Sequence, residues 1–343
     1  MPESSLLLSP PDHYGCWIPV RAPRPPVQPG HKVHTVVPAL LTPYSADLEV
    51  LPRFTVGRVF SDWGIDPIPF VVTVWAVGLY VLGVVVLHRR GDRWPVGRTL
   101  AFVGLGMGSF FFATSSGLGR YDTTLLSVHM VQHMLLSMVV PLALALGAPV
   151  TLALRTLPPA PRRWLLAVLH SRVAKVLAFP PLAFALYVAS PWALYFSSWY
   201  DASLASAFVH EMMHVHLVLV GTLFFWPLMG VDPVPGRVSH PFRVLLTLMT
   251  LPFHAFLGVT IMGQSTIIGE EHYRELREGP MGSWLPPMLE DQHLAGGILW
   301  ASGDLIGVLF FAVLFTQWVR SSMKEAARED RRLDLAERRA PTH

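Results

Sequence analysis

The sequence predicts an all-α fold: a polytopic membrane protein built as a seven-helix transmembrane bundle, with its N-terminus outside and its C-terminus in the cytoplasm. Three observations carry this expectation. Of the 343 residues, 52% are hydrophobic and 14% charged, and the mean hydropathy is +0.44, values outside the norm for soluble globular chains. Seven apolar stretches approach or exceed about 20 residues, the length that crosses a bilayer as a helix. The loops between them alternate between rich and poor in arginine, the pattern that sets membrane orientation.

Residues 1–66 are proline-rich and hold no long apolar run. They read as a largely irregular extracytoplasmic tail, without the basic n-region and apolar core of a signal peptide. Only 54–65 is expected to pack on the membrane domain, and His13, His31 and His34 read as surface residues. The membrane domain spans 67–320, with its seven stretches at 68–87, 97–115, 125–146, 173–196, 203–228, 242–267 and 293–319. Pro141, Pro180, Pro181, Pro191 and Pro252 fall inside or near span ends. They are expected to kink helices whose freed carbonyls find neighbours.

Arg89, Arg90, Arg93 and Arg98 follow the first span, Arg155, Arg162, Arg163, Arg172 and Lys175 the third, and Arg237 and Arg243 the fifth. The intervening loops carry few cations, and 270–291 is mostly acidic. Arginine-rich loops stay in the cytoplasm, so the chain enters from outside and ends inside. Residues 321–343 read as a charged cytoplasmic tail. The net charge is +3, and its arginines sit in short inter-span loops. That argues against a nucleic-acid partner and leaves membrane lipid as the surrounding phase.

The single cysteine, Cys16, lies in the tail, so the spans hold neither a disulfide framework nor a thiolate metal site. A transition metal held in the membrane must use imidazole, thioether or carboxylate. The fifth span carries His210, Glu211, Met213, His214 and His216, and the third carries His129, Met130, His133, Met134 and Met138. Each has a histidine pair at i, i+4, one turn apart on one helix face, while His216 points nearly the opposite way. Titratable groups in hydrocarbon are costly and mark ion paths or cofactor sites.

At about 1.5 Å per residue, His129 and His133 lie about 6 and 12 Å below the outer end of their span, and His210 and His214 about 10 and 16 Å. His254 sits near mid-membrane on the sixth span. His293 caps the outer end of the seventh, where Gly297, Trp300 and Asp304 share its face. A lone histidine or a methionine-rich stretch is more often packing. Two histidine pairs at matching depth, each beside methionines, read better as two halves of one site.

Imidazole with thioether and no thiolate suits copper, Cu(I) above all. Bis-histidine haem ligation and a small copper transporter fit the same spacing. HEMMH, from His210 to His214, also matches the zinc-protease signature H-E-x-x-H, for which Asp304 could be a third ligand.

Four segments, SVHMVQHMLLSMVVPLALALGAPVTLALR, VHEMMHVHLVLVGTLFFWPLMGVDPVP, LPFHAFLGVTIM and DQHLAGGILWASGDL, closely resemble the CtaG family of cytochrome c oxidase assembly factors, bacterial seven-span membrane proteins. The resemblance covers roughly 54–320. It implies a bacterial plasma-membrane, multi-pass protein that is not an enzyme and assists haem–copper oxidase assembly, with an oxidase subunit as partner. The residues matching its motifs are His129, Met130, His133, Met134, His210, Met213, His214, His216, His254, His293 and Asp304. Some relatives fuse this module to a copper-resistance membrane domain, which this chain has no room to hold. In the resulting scheme, copper arrives at His293 and the acidic 270–291 loop, binds between the third and fifth spans, and leaves laterally from neutral ligands in a lipid-facing cleft.

Overall fold

A computed structural model describes residues 50–236 and 238–337. The rest of the predicted tail, with His13, Cys16, His31 and His34, and the loop residue Arg237 lie outside the described residues. No strand occurs among the described residues. Among the described residues, seven helices carry the chain between two ends of a bundle. They are α1 (Pro67–Arg89), α2 (Val96–Tyr121), α3 (Leu126–Thr156), α4 (Pro180–Tyr195), α5 (Ala207–Met229), α6 (His240–Gly263) and α7 (Met288–Glu337). All except α4 are long and apolar enough to cross a membrane.

Local sequence explains the helix ends. Asp66 caps α1 by accepting from the Ile68 amide at 2.9 Å, with Pro67 in the first helical position, where its missing N–H is no loss. At α3, Asp291 accepts from the Leu126 amide (2.7 Å), the Ser127 amide (3.3 Å) and Ser127 Oγ (2.5 Å). A second carboxylate, Asp232, does the same where α3 restarts after its bend at left-handed Ala148. It accepts from the Thr151 amide at 2.7 Å and from Thr151 Oγ1 at 2.5 Å. A carboxylate at each helix start satisfies amides that have no partner within the helix.

The fourth predicted span differs from expectation. Instead of one helix over 173–196, the chain forms a short helix, Arg172–Leu177, and then α4 of 16 residues. Pro180 holds Phe179 extended, at φ −64° and ψ 117°, because proline disfavours the α region for the residue before it. At about 1.5 Å per residue α4 spans about 24 Å, short of the roughly 30 Å of hydrocarbon. It still joins the two ends. Ala178 lies against Gly236 at one end, and Tyr195 packs on Tyr200 at the other.

Hydrogen bonds identify the two ends. At the arginine-bearing end Arg90 donates to the Arg155 and Thr156 carbonyls, and Arg155 pairs with Asp92. At the other end Tyr200 meets Tyr273, His272 donates to the Thr123 carbonyl, and Tyr121 donates to the Pro52 carbonyl. The start of the described chain packs here too, with Leu51 buried and Phe54 edge-on to Tyr121. Burial holds the His272 imidazole below its ordinary range, which suits a neutral N–H facing a carbonyl. The positive-inside rule puts the arginine end in the cytoplasm. A reporter fused after Lys324 is therefore expected to read cytoplasmic, and one inserted between 270 and 290 to read external. The reverse pair of results would invert the topology.

α3 and α5 are the most buried helices and α1 the least. α3 packs on α2, α5 and α7, while α6 packs along α7 with α4 behind it. Small residues set the closest approaches. A Cβ on Gly258 of α6 would come within 2.6 Å of the Gly296 carbonyl of α7, and one on Gly296 within 2.7 Å of the Gly258 carbonyl. Glycine at both positions lets the two backbones touch, as membrane helices require for tight packing. The charged C-terminal segment continues α7 without a break at 320.

Candidate metal centre

The histidine pairs of α3 and α5 face each other. The ring centres of His129 and His210 are 5.7 Å apart, and those of His133 and His214 are 6.2 Å apart. Within each pair the rings are 3.8 Å (His129 to His133) and 4.5 Å (His210 to His214) apart. All four are buried. Helical periodicity puts both pairs on the α3–α5 seam, and close packing of Gly221 on α3 brings the helices near enough for the rings to meet.

Two residues that the sequence reading did not single out complete the cluster. Asp122, in the turn before α3, is buried, and its Oδ2 accepts from His210 Nε2 at 3.1 Å and Gln132 Nε2 at 2.9 Å. Gln132, one residue before His133, also donates to the Ala113 carbonyl at 3.0 Å. With both its protons committed, its Oε1 accepts from His214 Nε2 at 3.1 Å. That fixes His214 as the Nε2–H tautomer, with a lone pair on Nδ1. One ligand atom from each of Asp122, His210 and His214 lies within 4.8 Å of the other two. Asp122 stands three residues before the 125–146 stretch in DTT, a string that reads as an ordinary turn. Its only sequence signal is a carboxylate seven residues ahead of His129.

Buried polar atoms without hydrogen bonds gather at this place. They are both ring nitrogens of His129, His133 Nε2, His214 Nδ1 and Asp122 Oδ1. Each such atom costs about 1–3 kcal/mol, and native interiors rarely leave several together. Two of the partnered nitrogens have fixed acceptors, Asp122 for His210 and Gln132 for His214, and His133 Nδ1 shares a hydrogen bond with the Tyr195 hydroxyl (2.7 Å). Hydrogen-bonding one nitrogen of a ring orients it and leaves the other to coordinate. Glu211 Oε1 is 3.7 Å from His214 Nδ1. It stands at the edge of the cluster, half-buried.

The other candidate residues divide. Met130 and Met134 are buried beside His133 and line, with His254, a cavity of about 40 Å³. Met213 is fully buried in the apolar core. His216 lies apart from the cluster: it is bonded to Ser190 Oγ at 2.6 Å and edge-on to Trp199. His293 is exposed on α7, and Asp304 accepts from Trp300 on the same helix. The reason is the packing of α7. Its Gly296, Gly303 and Gly307, with the Trp300 backbone between them, pack on α6, so this side of α7 meets α6 and not the α3–α5 seam. The cluster also departs from the expected lipid-facing cleft of neutral ligands, being enclosed and containing a carboxylate.

A family model described as cytochrome c oxidase caa3 assembly factor matches residues 78–321. Uncharacterized proteins of Mycobacterium bovis and Mycobacterium tuberculosis are each 41% identical over 288 residues, which is 82% of this chain and 43% of theirs. An uncharacterized protein of Mycobacterium leprae is 37% identical over 304 residues, covering 82% of this chain and 45% of its own. The chain thus spans less than half the length of the curated relatives it matches. No solved structure matches.

Proposed function

The chain belongs to the cytochrome c oxidase caa3 assembly factor family, and from that premise we propose that it holds a Cu(I) ion between α3 and α5 and passes it to an oxidase subunit in a bacterial plasma membrane. Copper is cargo here, and the chain is a carrier and not an enzyme. The observation that carries the reading is the group of buried imidazole and carboxylate atoms left without partners. A monovalent cation beside Asp122 would meet one negative charge, so the loaded site would be neutral in a low-dielectric setting. Imidazole and carboxylate alone also suit zinc. The thioethers of Met130 and Met134, buried next to His133 in the adjoining cavity, put soft donors beside the site, which favours a copper carrier over a zinc site.

The competing assignments fare less well. A porphyrin needs a slot of several hundred Å³, whereas the cavity beside the histidines is about 40 Å³. A transporter needs a polar route onward to the far side. Below the cluster, α5 instead buries Phe224, Phe225 and Leu228. One reading keeps a specific observation in its favour: His210, Glu211 and His214 form H-E-x-x-H, and Asp122 provides a third ligand from another element. In such a protease Glu211 is the general base, indispensable to the reaction.

Metal analysis of the chain purified without oxygen tests the proposal. About one or more copper ions per chain are expected, and the tightly held ion should be lost in the His210→Ala, His214→Ala double variant. Zinc in place of copper would overturn the proposal. Glu211→Gln keeps the side chain's size and is expected to leave copper and oxidase assembly nearly unchanged. Loss of oxidase in Glu211→Gln with copper still bound would favour the protease.

A further inference from the structure

We propose a second, softer cation site in the cavity between α3, α4, α5 and α6, built from His133, His254, Met130 and Met134, which makes the histidine cluster the first of two stations. This rests on the reading of the chain as a Cu(I) carrier and deepens it.

The cavity, about 40 Å³, is lined by Met130, His133, Met134, Tyr187, Tyr195 and His254 among others. That is room for one ion or one or two waters. Its polar groups are oriented by single-purpose hydrogen bonds. The Thr250 carbonyl can only accept, so His254 Nδ1, at 3.1 Å, carries the proton. His254 Nε2 is then a bare lone pair, facing the Tyr187 hydroxyl only at a long 3.5 Å.

Tyr195 has one proton and two neighbours, Met130 Sδ at 3.4 Å and His133 Nδ1 at 2.7 Å. His133 Nε2, buried and without a hydrogen bond, is left at the border of the two stations. Helical geometry explains the division. His129 and His133 form one i, i+4 row on α3, and Met130 and Met134 form the next, rotated by about 100°. One row faces α5, and the other faces the cavity.

The two stations differ in charge. The first contains the Asp122 carboxylate, whereas the cavity offers two thioethers and two imidazoles, all neutral. A Cu(I) ion in the cavity keeps its full charge, so this station binds more weakly, and thioether donors select Cu(I) over Zn(II). Passing from a tighter, charge-compensated site to a looser, sulfur-bearing one gives a carrier a place from which to release. His133 is the one ring adjacent to both.

The test is an anaerobic Cu(I) titration of the full chain in lipid nanodiscs against a chromogenic Cu(I) chelator, with X-ray absorption to detect sulfur ligands. Two ions should bind, the second at least tenfold more weakly. The conservative variants Met130→Leu with Met134→Leu, and separately His254→Gln, should abolish the weak step, leave the tight step intact and, for the leucine pair, remove the sulfur signal. Asp122→Asn should do the converse. A single equivalent, sensitive to Asp122→Asn and without sulfur scattering, would overturn the second station and leave the carrier reading standing. No copper bound in the parent chain would overturn both. Two equal ions unaffected by the methionine variants would also exclude this site.

Discussion

Asp122→Asn is expected to strip copper from the tight site while the chain stays folded in the membrane. Asparagine keeps the size of the side chain and can still accept from His210 or Gln132, so the α2–α3 turn retains most of its bonds. What disappears is the negative charge and one ligand oxygen. At about 5 Å and an effective dielectric of about 20, that charge is worth roughly 3 kcal/mol to a monovalent cation, about two orders of magnitude in affinity. Loss of an ordinary supporting group costs about 10–100-fold, so the charge alone reaches the top of that range before the lost ligand oxygen is counted. Cells that depend on the variant should make oxidase with its haem in place and its copper deficient, and added copper should restore part of the activity. A variant that holds copper as tightly as the parent, and matures oxidase normally at limiting copper, would show that the carboxylate serves packing alone.

The histidine rows were legible because a helix repeats every 3.6 residues, so H-x-x-x-H fixes two rings on one face whatever surrounds them. Which faces meet is set elsewhere. His293 and Asp304 share a face, yet α7 turns Gly296, Gly303 and Gly307 toward α6. In a membrane, where lipid is as apolar as leucine, a stripe of small residues is the better guide to the packed face. His216 follows the same logic, since the α5 face that carries Gly221 is the one pressed on α3. Asp122 was illegible for another reason. A carboxylate at a span end reads as solvated, whereas here Gln132 and His210 close on it and 50–66 and 270–291 pack on its neighbours Tyr121 and Thr123. The break before α4 could be read in Pro180, whose restriction on Phe179 is purely local.

Gly221→Leu is expected to abolish copper binding and lower stability although Gly221 touches no ligand. A Cβ at this position would press into the Ser137 carbonyl and lie 2.7 Å from Pro141 Cγ. Neither neighbour can yield cheaply. Pro141 is a rigid ring, and it has no N–H to offer the Ser137 carbonyl, which sits in the π-helical stretch Leu135–Val139 of α3. A widened turn of this kind often adjoins a functional site.

Ser137 is one turn below His133, and Gly221 is two turns below His214, so wedging the helices apart here separates the two histidine rows directly above. Overpacking by a single methyl costs about 1–3 kcal/mol. Gly221→Ala should therefore weaken copper binding and lower the unfolding temperature in part, and Gly221→Leu should eliminate copper and sharply reduce the amount of folded protein. Thermal unfolding in detergent and copper per chain should fall together across Gly, Ala and Leu. If copper held at Gly221→Leu stays at the parental level in folded protein, the α3–α5 seam is not what positions the ligands.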